Sequence, residues 1–432
     1  MRMLNKFLAL AFIAISLFAC DKEDDCTLTC GTDEVLTAEC TCVKLNTSNV
    51  VEVSSNITTN TTWTKSKIYH LKTRVTVTNG ATLTIEAGTV VKGDAGSGAN
   101  ATALIIARGA KIIANGTATS PIIFTSVADN IVSGQIESPN MESSLNGLWG
   151  GLLVLGKAPI SAKGAAEAVQ IEGIPASDTN GLYGGTDPAD NSGEISYVSI
   201  RHGGANIGDG NEINGLTLGG VGSGTKIENI EIISNQDDGL EVFGGTVNIK
   251  NVIVWNAGDD QIDCDQAWTG TLDNFIAILG ADSDHGLELD GGEGTLTGQF
   301  TLKNGSLKGK GAASTINGEY ADLRDKVECK LEGLYFFDFS PSSDFELDNA
   351  GVSDLWNTGK ITFSNFEFNV SNLTSGNITL DAIFKDDGGR DAEFNTAANS
   401  FAKIVTTRTK GANASSFTGW TVSDKKGQLS GF

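Results

Sequence analysis

Three consecutive segments between Ile227 and Gly292 repeat one design. They read IENIEIISNQDDGLEVFGG (227–245), VNIKNVIVWNAGDDQIDCDQA (247–267) and TLDNFIAILGADSDHGLELDGG (271–292). Each segment has an alternating apolar run, then an acidic corner, then a short alternating strand. A period in the twenties with strand-type alternation predicts stacked β-strand coils, in which each coil packs on its neighbours.

The short strand of each segment determines which side chains face inward. Two inward positions recur at steps of 22 and 25 residues and are apolar: Leu240 and Val242, Ile262 and Cys264, Leu287 and Leu289. The outward position between them is always acidic: Glu241, Asp263 and Glu288. The next outward position and the corners add more acids: Asp265, Asp290, Asp237, Asp238, Asp259, Asp260, Asp282 and Asp284.

Equivalent positions of successive parallel coils lie ~4.8 Å apart, so these acids should form rows along the solenoid. One row is predicted from Glu241, Asp263 and Glu288, and a second row from Asp238, Asp260 and Asp284. Stacked carboxylates raise one another's pKa unless a cation lies between them. Because Ca²⁺ takes several oxygen ligands at 2.3–2.6 Å, the pattern predicts a calcium site with these candidate ligands: Asp237, Asp238, Glu241, Asp260, Asp263, Asp265, Asp284, Glu288 and Asp290.

The N-terminus has the pattern of an export signal. Arg2 and Lys6 precede the apolar stretch 7–19, which is too short to span a membrane. The stretch ends in the lipobox-like sequence LFAC, whose last residue is Cys20. We therefore expect residues 1–19 to be a lipoprotein signal peptide and Cys20 to carry a lipid that anchors the chain to a membrane.

A short acidic tether, residues 20–25, leads into a cysteine-rich mini-module at residues 26–43. In an exported protein the clustered cysteines predict two disulfides of undetermined pairing, with a zinc site as the alternative: Cys26, Cys30, Cys40 and Cys42. The remaining two, Cys264 and Cys329, either pair with each other or are buried thiols. The inward position of Cys264 favours the buried thiol.

The whole chain is strongly acidic, with a formal net charge of −23. Cleavage of the signal would remove Arg2 and Lys6 and no acid, which makes the mature chain more acidic still. Such a charge argues against nucleic acid and against anionic lipid or anionic glycan as a general partner. Bound cations could reverse the sign locally.

Residues 44–432 are predicted to form the solenoid with a C-terminal cap. Gly is abundant, with 53 residues, and suits tight turns between short strands. Polar stretches at 127–147, 162–190 and 310–326 interrupt the repeat and are expected to be inserted loops. The aromatic stretch 329–340 and residues 414–432 are expected to cover the open strand edges at the end of the solenoid.

Five motifs occur in order along the solenoid: GLWGGLLVLGKAPI, YGGTDPADNSGEISYVSIRHGG, INGLTLGGVGSGT, DDGLEVFGGTVN and GDDQIDCDQAWTG. Together they resemble a family of exported proteins common among Bacteroidota lipoproteins, across about residues 50–432. The resemblance implies an all-β, right-handed parallel β-helix of the pectin-lyase-like fold. The acidic tether is similar to the surface-export signal of such lipoproteins, which implies the outer face of the outer membrane. No settled activity comes with this family.

The corners are also similar to the motif series of polygalacturonase-type hydrolases. That resemblance implies that Asp238 and Asp259 flank an activated water, that Asp260 is the acid and that His285 assists. An inverting pair needs carboxyl groups ~6.5–9.5 Å apart, which adjacent coils allow. The Arg-x-Lys expected of a hydrolase is missing at the matching place, where only Lys308 and Lys310 occur. A lyase would need a basic residue, and no arginine or lysine lies within the acidic corner to act as that base. Both departures weaken the hypothesis that the protein is an enzyme.

A third interpretation is structural, because Asp and Asn at solenoid corners often hydrogen-bond the amides of their own turn. Trp268 lies beside the acidic corner and is either a packing residue or a platform on which a sugar stacks. The leading prediction is a surface-exposed lipoprotein whose calcium-binding acidic face binds a glycan or an outer-membrane partner protein. The alternatives are a polygalacturonase-like polysaccharide hydrolase and a purely structural envelope protein.

Overall fold

The computed structural model describes residues 34–36, 42–44, 49–207, 213–311, 318–371, 379–385 and 391–432. The chain divides into two compact units, residues 1–46 and 47–432. In the first unit, strands β1 (Glu34–Leu36) and β2 (Cys42–Lys44) pair antiparallel. The predicted lipidation site and three of the four predicted disulfide cysteines lie outside the described residues, and only the backbone of Cys42 is described.

The second unit is built from short strands along its whole length. Its N-terminal part contains β3 (Val50–Val53), β4 (Thr61–Trp63), β5 (Ile68–Leu71), β6 (Arg74–Val77), β7 (Thr82–Ile85), β8 (Val90–Gly93), β9 (Ala103–Ile106), β10 (Lys111–Asn115) and β11 (Ile122–Ser126). Its central part contains β12 (Leu152–Leu155), β13 (Val169–Gln170), β14 (Leu182–Tyr183), β15 (Gly193–Arg201), β16 (Leu216–Gly219), β17 (Lys226–Ile233), β18 (Leu240–Phe243), β19 (Asn248–Trp255), β20 (Ile262–Asp265), β21 (Thr271–Ile278), β22 (Leu287–Leu289) and β23 (Gln299–Lys308).

Helices appear in the C-terminal part. In chain order it contains β24 (Ala321–Leu323), β25 (Glu328–Glu332), β26 (Tyr335–Phe337), β27 (Phe345–Leu347), α1 (Ala350–Asn357), β28 (Ile361–Ser364), β29 (Phe366–Asn369), α2 (Leu380–Ile383), α3 (Asp391–Phe401), β30 (Ala402–Ile404) and α4 (Val422–Lys425). The segment 310–326 is therefore not only an inserted loop, because it contains β24, which continues the repeat. Among the described residues, no helix is both long enough and apolar enough to cross a membrane.

Two long sheets run the length of the solenoid, which confirms the predicted all-β parallel β-helix. The short-strand sheet has nine strands in the order β6, β9, β12, β16, β18, β20, β22, β24, β27, and its strand pairs are parallel. The long-strand sheet has seventeen strands, also paired in parallel from coil to coil. Each central coil contributes one strand to each sheet, and the acidic corner joins the long strand to the short one.

The predicted register holds through the central coils. Leu240 pairs with Ile262, which pairs with Leu287, and all three side chains are fully buried in one continuous core. Burying a side chain of this size contributes about 1.5–3 kcal/mol, so every coil adds favourable burial to its neighbour. A slip by one residue would turn these apolar side chains outward, which fixes the acids on the outer side.

The long strands β17, β19, β21 and β23 each bend at an asparagine in the left-handed region, whereas β15 bends at Tyr197, with φ 50°. Asn229, Asn251, Asn274 and Asn304 have φ between 55° and 67°. Asn251 Nδ2 donates to Asn229 Oδ1, and Asn274 Nδ2 donates to Asn251 Oδ1, both at 2.8 Å. Asn tolerates this conformation better than most residues, so a stacked asparagine row forms the bend that divides the long-strand sheet into two faces.

The end of the chain differs from the expected cap. Aromatic residues of α1, α3 and β28, including Trp356, Phe394 and Phe363, pack together at the C-terminal coils. Residues 411–432, here called the C-terminal strap, instead lie on the outer side of the long-strand sheet, where Trp420 joins an apolar cluster with Ile233, Trp255 and Ile276. The strap returns along the solenoid because the outer side of these coils is apolar and needs cover.

Candidate functional site

The outer side of the short-strand sheet carries a longer acidic row than predicted. The strand pairing places one carboxylate on each of five successive coils: Glu241, Asp263, Glu288, Asp322 and Glu346. The first three were predicted from the alternation, whereas the last two were missed because the polar segment before β24 breaks the period. We call this side of β18, β20, β22, β24 and β27, with the adjoining corners, the acidic face.

A second row runs along the corners, and its third member differs from the prediction. The backbone amide of Asp260 donates to Asp238 Oδ1 at 2.9 Å, and the amide of His285 donates to Asp260 Oδ1 at 2.8 Å. His285 therefore continues the row, and Asp284 does not. The third corner is longer, so Asp284 is displaced by one position and is exposed.

Three of the predicted ligands form an enclosed triplet: Asp238, Glu241 and Asp263. Their exposed fractions are 8%, 5% and 8%, and each offers an oxygen that lies within 4.8 Å of the others. Burial raises the pKa of all three well above its usual range, and the charged neighbours that act most strongly on them are also carboxylates. Without a cation, this arrangement can exist only with protons on most of these groups.

Asn214 and Glu172 complete the surroundings of the enclosed triplet. Asn214 is 1% exposed, and its Nδ2 donates to Glu241 and, at 3.0 Å, to Glu172 Oε1. Within the described part of the chain, Asn214 Oδ1 and Asp263 Oδ1 are buried without a hydrogen-bond partner. Two ligands of one Ca²⁺ lie at most about 5 Å apart, so the donor set and its spacing fit a calcium ion.

Farther along the acidic face, side chains of the protein neutralise the acids. The ion pairs that do this include His285 with Asp260, Arg324 with Glu288, and Lys385 with Asp344. The sequence predicts no arginine or lysine within the acidic corner, and Arg324 lies outside that corner, after β24, where it pairs with Glu288 of β22. Sequence reasoning missed Arg324 because the coil that contains β24 was not recognised as part of the repeat. Without that coil, the repeat could not be aligned as far as Arg324.

The buried Asp260 and the partly buried His285 form a pair of titratable groups in direct contact on this face. Burial raises the pKa of Asp260 to about 7, although the hydrogen bond from His285 opposes the shift. Burial lowers the pKa of His285, but its 2.8 Å contact with Asp260 outweighs this and raises it to about 10. A carboxyl group that titrates near neutral pH next to an imidazolium can donate or accept a proton.

Other acids lie at the margins of the face. Asp237 and the exposed Asp259 form a group with Asp238 at the corner, again with oxygens within 4.8 Å. Burial raises the pKa of Asp265 to about 7 and, with the charge of Asp265, that of Asp290 to about 8. Asp238 and Asp259, which were predicted to flank a water, thus each have an oxygen within 4.8 Å of the other.

Trp268 does not form part of this surface. Its ring is 1% exposed, stacks on Phe300 with centroids 5.5 Å apart, and donates from Nε1 to the carbonyl oxygen of Val247 at 3.0 Å. The hypothesis that a sugar stacks on Trp268 is wrong, because the ring faces the core. Cys264 and Cys329 are both free and buried.

The comparison with known families agrees with this architecture. A family model described as a pectate-lyase-like beta helix domain matches residues 55–423, which is most of the chain. The chain therefore belongs to the pectate-lyase-like β-helix family. No curated protein and no solved structure matches it.

Proposed function

We propose that the protein is a calcium-loaded β-helix that binds a polysaccharide along its acidic face. The enclosed triplet carries the proposal, since three buried carboxylates each offer an oxygen within 4.8 Å of the others, and Asp263 Oδ1 has no hydrogen-bond partner in the part of the chain that the structure describes. A divalent cation would satisfy these oxygens and remove their mutual repulsion. Asp238, Glu241 and Asp263 would hold the ion, with Asn214 Oδ1 beside it.

The shape of the acidic face and the family to which the chain belongs both support a polysaccharide as the ligand. The acidic row extends over five coils, from Glu241 to Glu346, at one carboxylate per coil. A straight, repetitive surface suits an extended polymer better than a compact ligand. Membership of the pectate-lyase-like family supports a role connected with polysaccharides.

The cellular location is proposed from the N-terminal sequence alone. A signal peptide over residues 1–19, acylation of Cys20 and an acidic tether would hold the solenoid on the outer face of the outer membrane. Metabolic labelling with a fatty-acid analogue tests the anchor. Label should enter the full chain and be absent from Cys20→Ser, and equal labelling of both would overturn the anchor.

Co-sedimentation with insoluble polysaccharides tests the proposed binding. The wild-type protein should sediment with at least one polysaccharide of a plant and algal panel in calcium and remain in solution with chelator. Glu241→Gln should lose most of the calcium-dependent fraction, because it removes one ligand charge and keeps the acceptor for Asn214. Glu228→Gln is the matched control, since Glu228 lies on the long-strand sheet beside Lys226. Equal binding by all three proteins with and without calcium would contradict the proposal.

A second candidate function is polysaccharide hydrolysis at Asp260. It is favoured by the single observation that Asp260, with a pKa of about 7, contacts His285. Reducing ends released from the same panel by the wild-type protein, and lost in Asp260→Asn, would replace a binding-only role by a hydrolase. No release by the wild-type protein would leave binding as the function.

A further inference from the structure

We infer that Arg324 is a resident cation that occupies a second ion position on the acidic face and so limits the face to one calcium ion. This deepens the proposed function and rests on it.

The second ion position is formed by Asp263, Glu288 and Asp290. Each offers an oxygen within 4.8 Å of the others. Asp263 belongs to this group and to the enclosed triplet, and its Oδ1 is buried without a hydrogen-bond partner in the described residues. Since a carboxylate has two oxygens, Asp263 could serve one ion on each side.

Arg324 lies against the second ion position, since it contacts Glu288 and its charge opposes the rise that burial causes in the pKa of Asp290. Its Nη1 contacts Glu288 Oε1, and its Nε is 3.7 Å from Asp322 Oδ2. The guanidinium cannot lose its proton in a protein, so its charge is permanent. A second calcium ion would have to take Glu288 from Arg324 and lie against a positive charge.

Among the described residues, no arginine, lysine or histidine forms an ion pair with the enclosed triplet in the way that Arg324 does with Glu288. Asn214 Nδ2 is the donor to Glu241, and it is neutral. The strongest charges acting on Glu241 and Asp263 come from other acids, among them Glu172 and Glu288. The two positions therefore differ in the cation that completes them: a bound ion at the first and the Arg324 guanidinium at the second.

Counting ions in four proteins tests this inference. Metal-free wild-type protein, Arg324→Gln, Arg324→Lys and Lys326→Gln are equilibrated with calcium, and bound calcium per chain is measured by elemental analysis. We expect one ion in the wild type and two in Arg324→Gln. Arg324→Lys, which keeps the charge, and Lys326→Gln, which loses a nearby charge that contacts the Gly292 carbonyl oxygen, should each retain one ion.

Each outcome separates the inference from the proposed function. A wild type that binds no calcium overturns the proposed function itself. A wild type with two ions, or one ion in both wild type and Arg324→Gln, overturns the role of Arg324 and leaves calcium binding intact. The double variant Glu241→Gln/Arg324→Gln should bind one ion at the second position, and its thermal midpoint checks that the coils remain folded.

Discussion

Asp263 shows at the level of one residue why the acidic face needs a counter-charge. Its carboxyl group is buried, and Asp265 and Glu288 lie close enough to oppose its ionisation. A buried carboxylate without a partner costs several kcal/mol, so the group must take up either a proton or a metal ion. Whether Asp263 binds a proton or a metal ion depends on the pH and on the calcium concentration.

The stability of the metal-free protein should therefore fall as pH rises. Burial raises the pKa of Asp260 and Glu319 to about 7, that of Asp322 to about 6 and that of Asp290 to about 8. A carboxyl with a raised pKa binds its proton more tightly in the folded state, so its contribution is complete below pH ~4 and is lost between ~4 and 8. For the buried Asp260 alone this amounts to a few kcal/mol.

Thermal melting from pH 4.5 to 8.5 checks this prediction. Without calcium the melting temperature should decline as the pH rises from 4.5 to 8.5. Calcium should raise the melting temperature much more at pH 8 than at pH 5, because at pH 8 protons no longer compete with calcium for the carboxylates. A midpoint that rises with pH in metal-free protein, or a calcium effect independent of pH, would contradict the assignment of these carboxyls.

At the level of elements, the asparagine bend should stabilise the long-strand sheet. Asn251→Ala removes two hydrogen bonds of 2.8 Å and places a Cβ-bearing residue without a polar side chain at φ 56°. We expect a loss of about 3 kcal/mol, visible as a lower denaturant midpoint. Asn251→Gly keeps the backbone conformation and should lose less. Equal loss in both variants would show that the backbone conformation contributes nothing.

The C-terminal strap should stabilise the same sheet from outside. Trp420 is buried against Tyr197 at a centroid distance of 5.3 Å, and the amide and hydroxyl of Ser423 each donate to Glu231 Oε1 at 2.9 Å. Trp420→Ala should cost about 3–5 kcal/mol and should increase the binding of a hydrophobic dye to the uncovered face. The exposed Lys425→Ala is the control. No change in melting or dye binding would mean that the strap is not firmly docked.

The elements predicted from sequence are those defined by local alternation. The pairing of Glu241 with Asp263 and Glu288 follows from period-2 alternation, and the structure reproduces it. Asn251 could not be recognised as a bend residue, because a polar residue inside an apolar run reads as an interruption. The sequence predicts an end cap for residues 414–432, whereas the strap covers the outer side of the long-strand sheet. A sequence does not show which distant surface a terminal segment covers.

At the level of the whole molecule, the site depends on residues far apart in sequence. Glu172 comes from an excursion before the central coils and accepts a hydrogen bond from Asn214 beside the enclosed triplet, whereas Arg324 comes from the coil that contains β24 and contacts Glu288 of the acidic row. The row itself was underestimated because its fourth and fifth acids follow the polar segment before β24. The amino-acid composition shows that the chain is acidic. Only the stacking of the coils shows which carboxylates have a basic side chain beside them and which do not.

Isothermal titration of calcium into metal-free protein tests the central claim most directly. The wild type should bind one ion per chain, Glu228→Gln should bind it with the same affinity, and Glu241→Gln should bind at least tenfold more weakly. Such a loss is expected because Glu241 is a buried charged ligand of the enclosed triplet. No binding by the wild type, or equal affinity in Glu241→Gln, would contradict a calcium site at Asp238, Glu241 and Asp263.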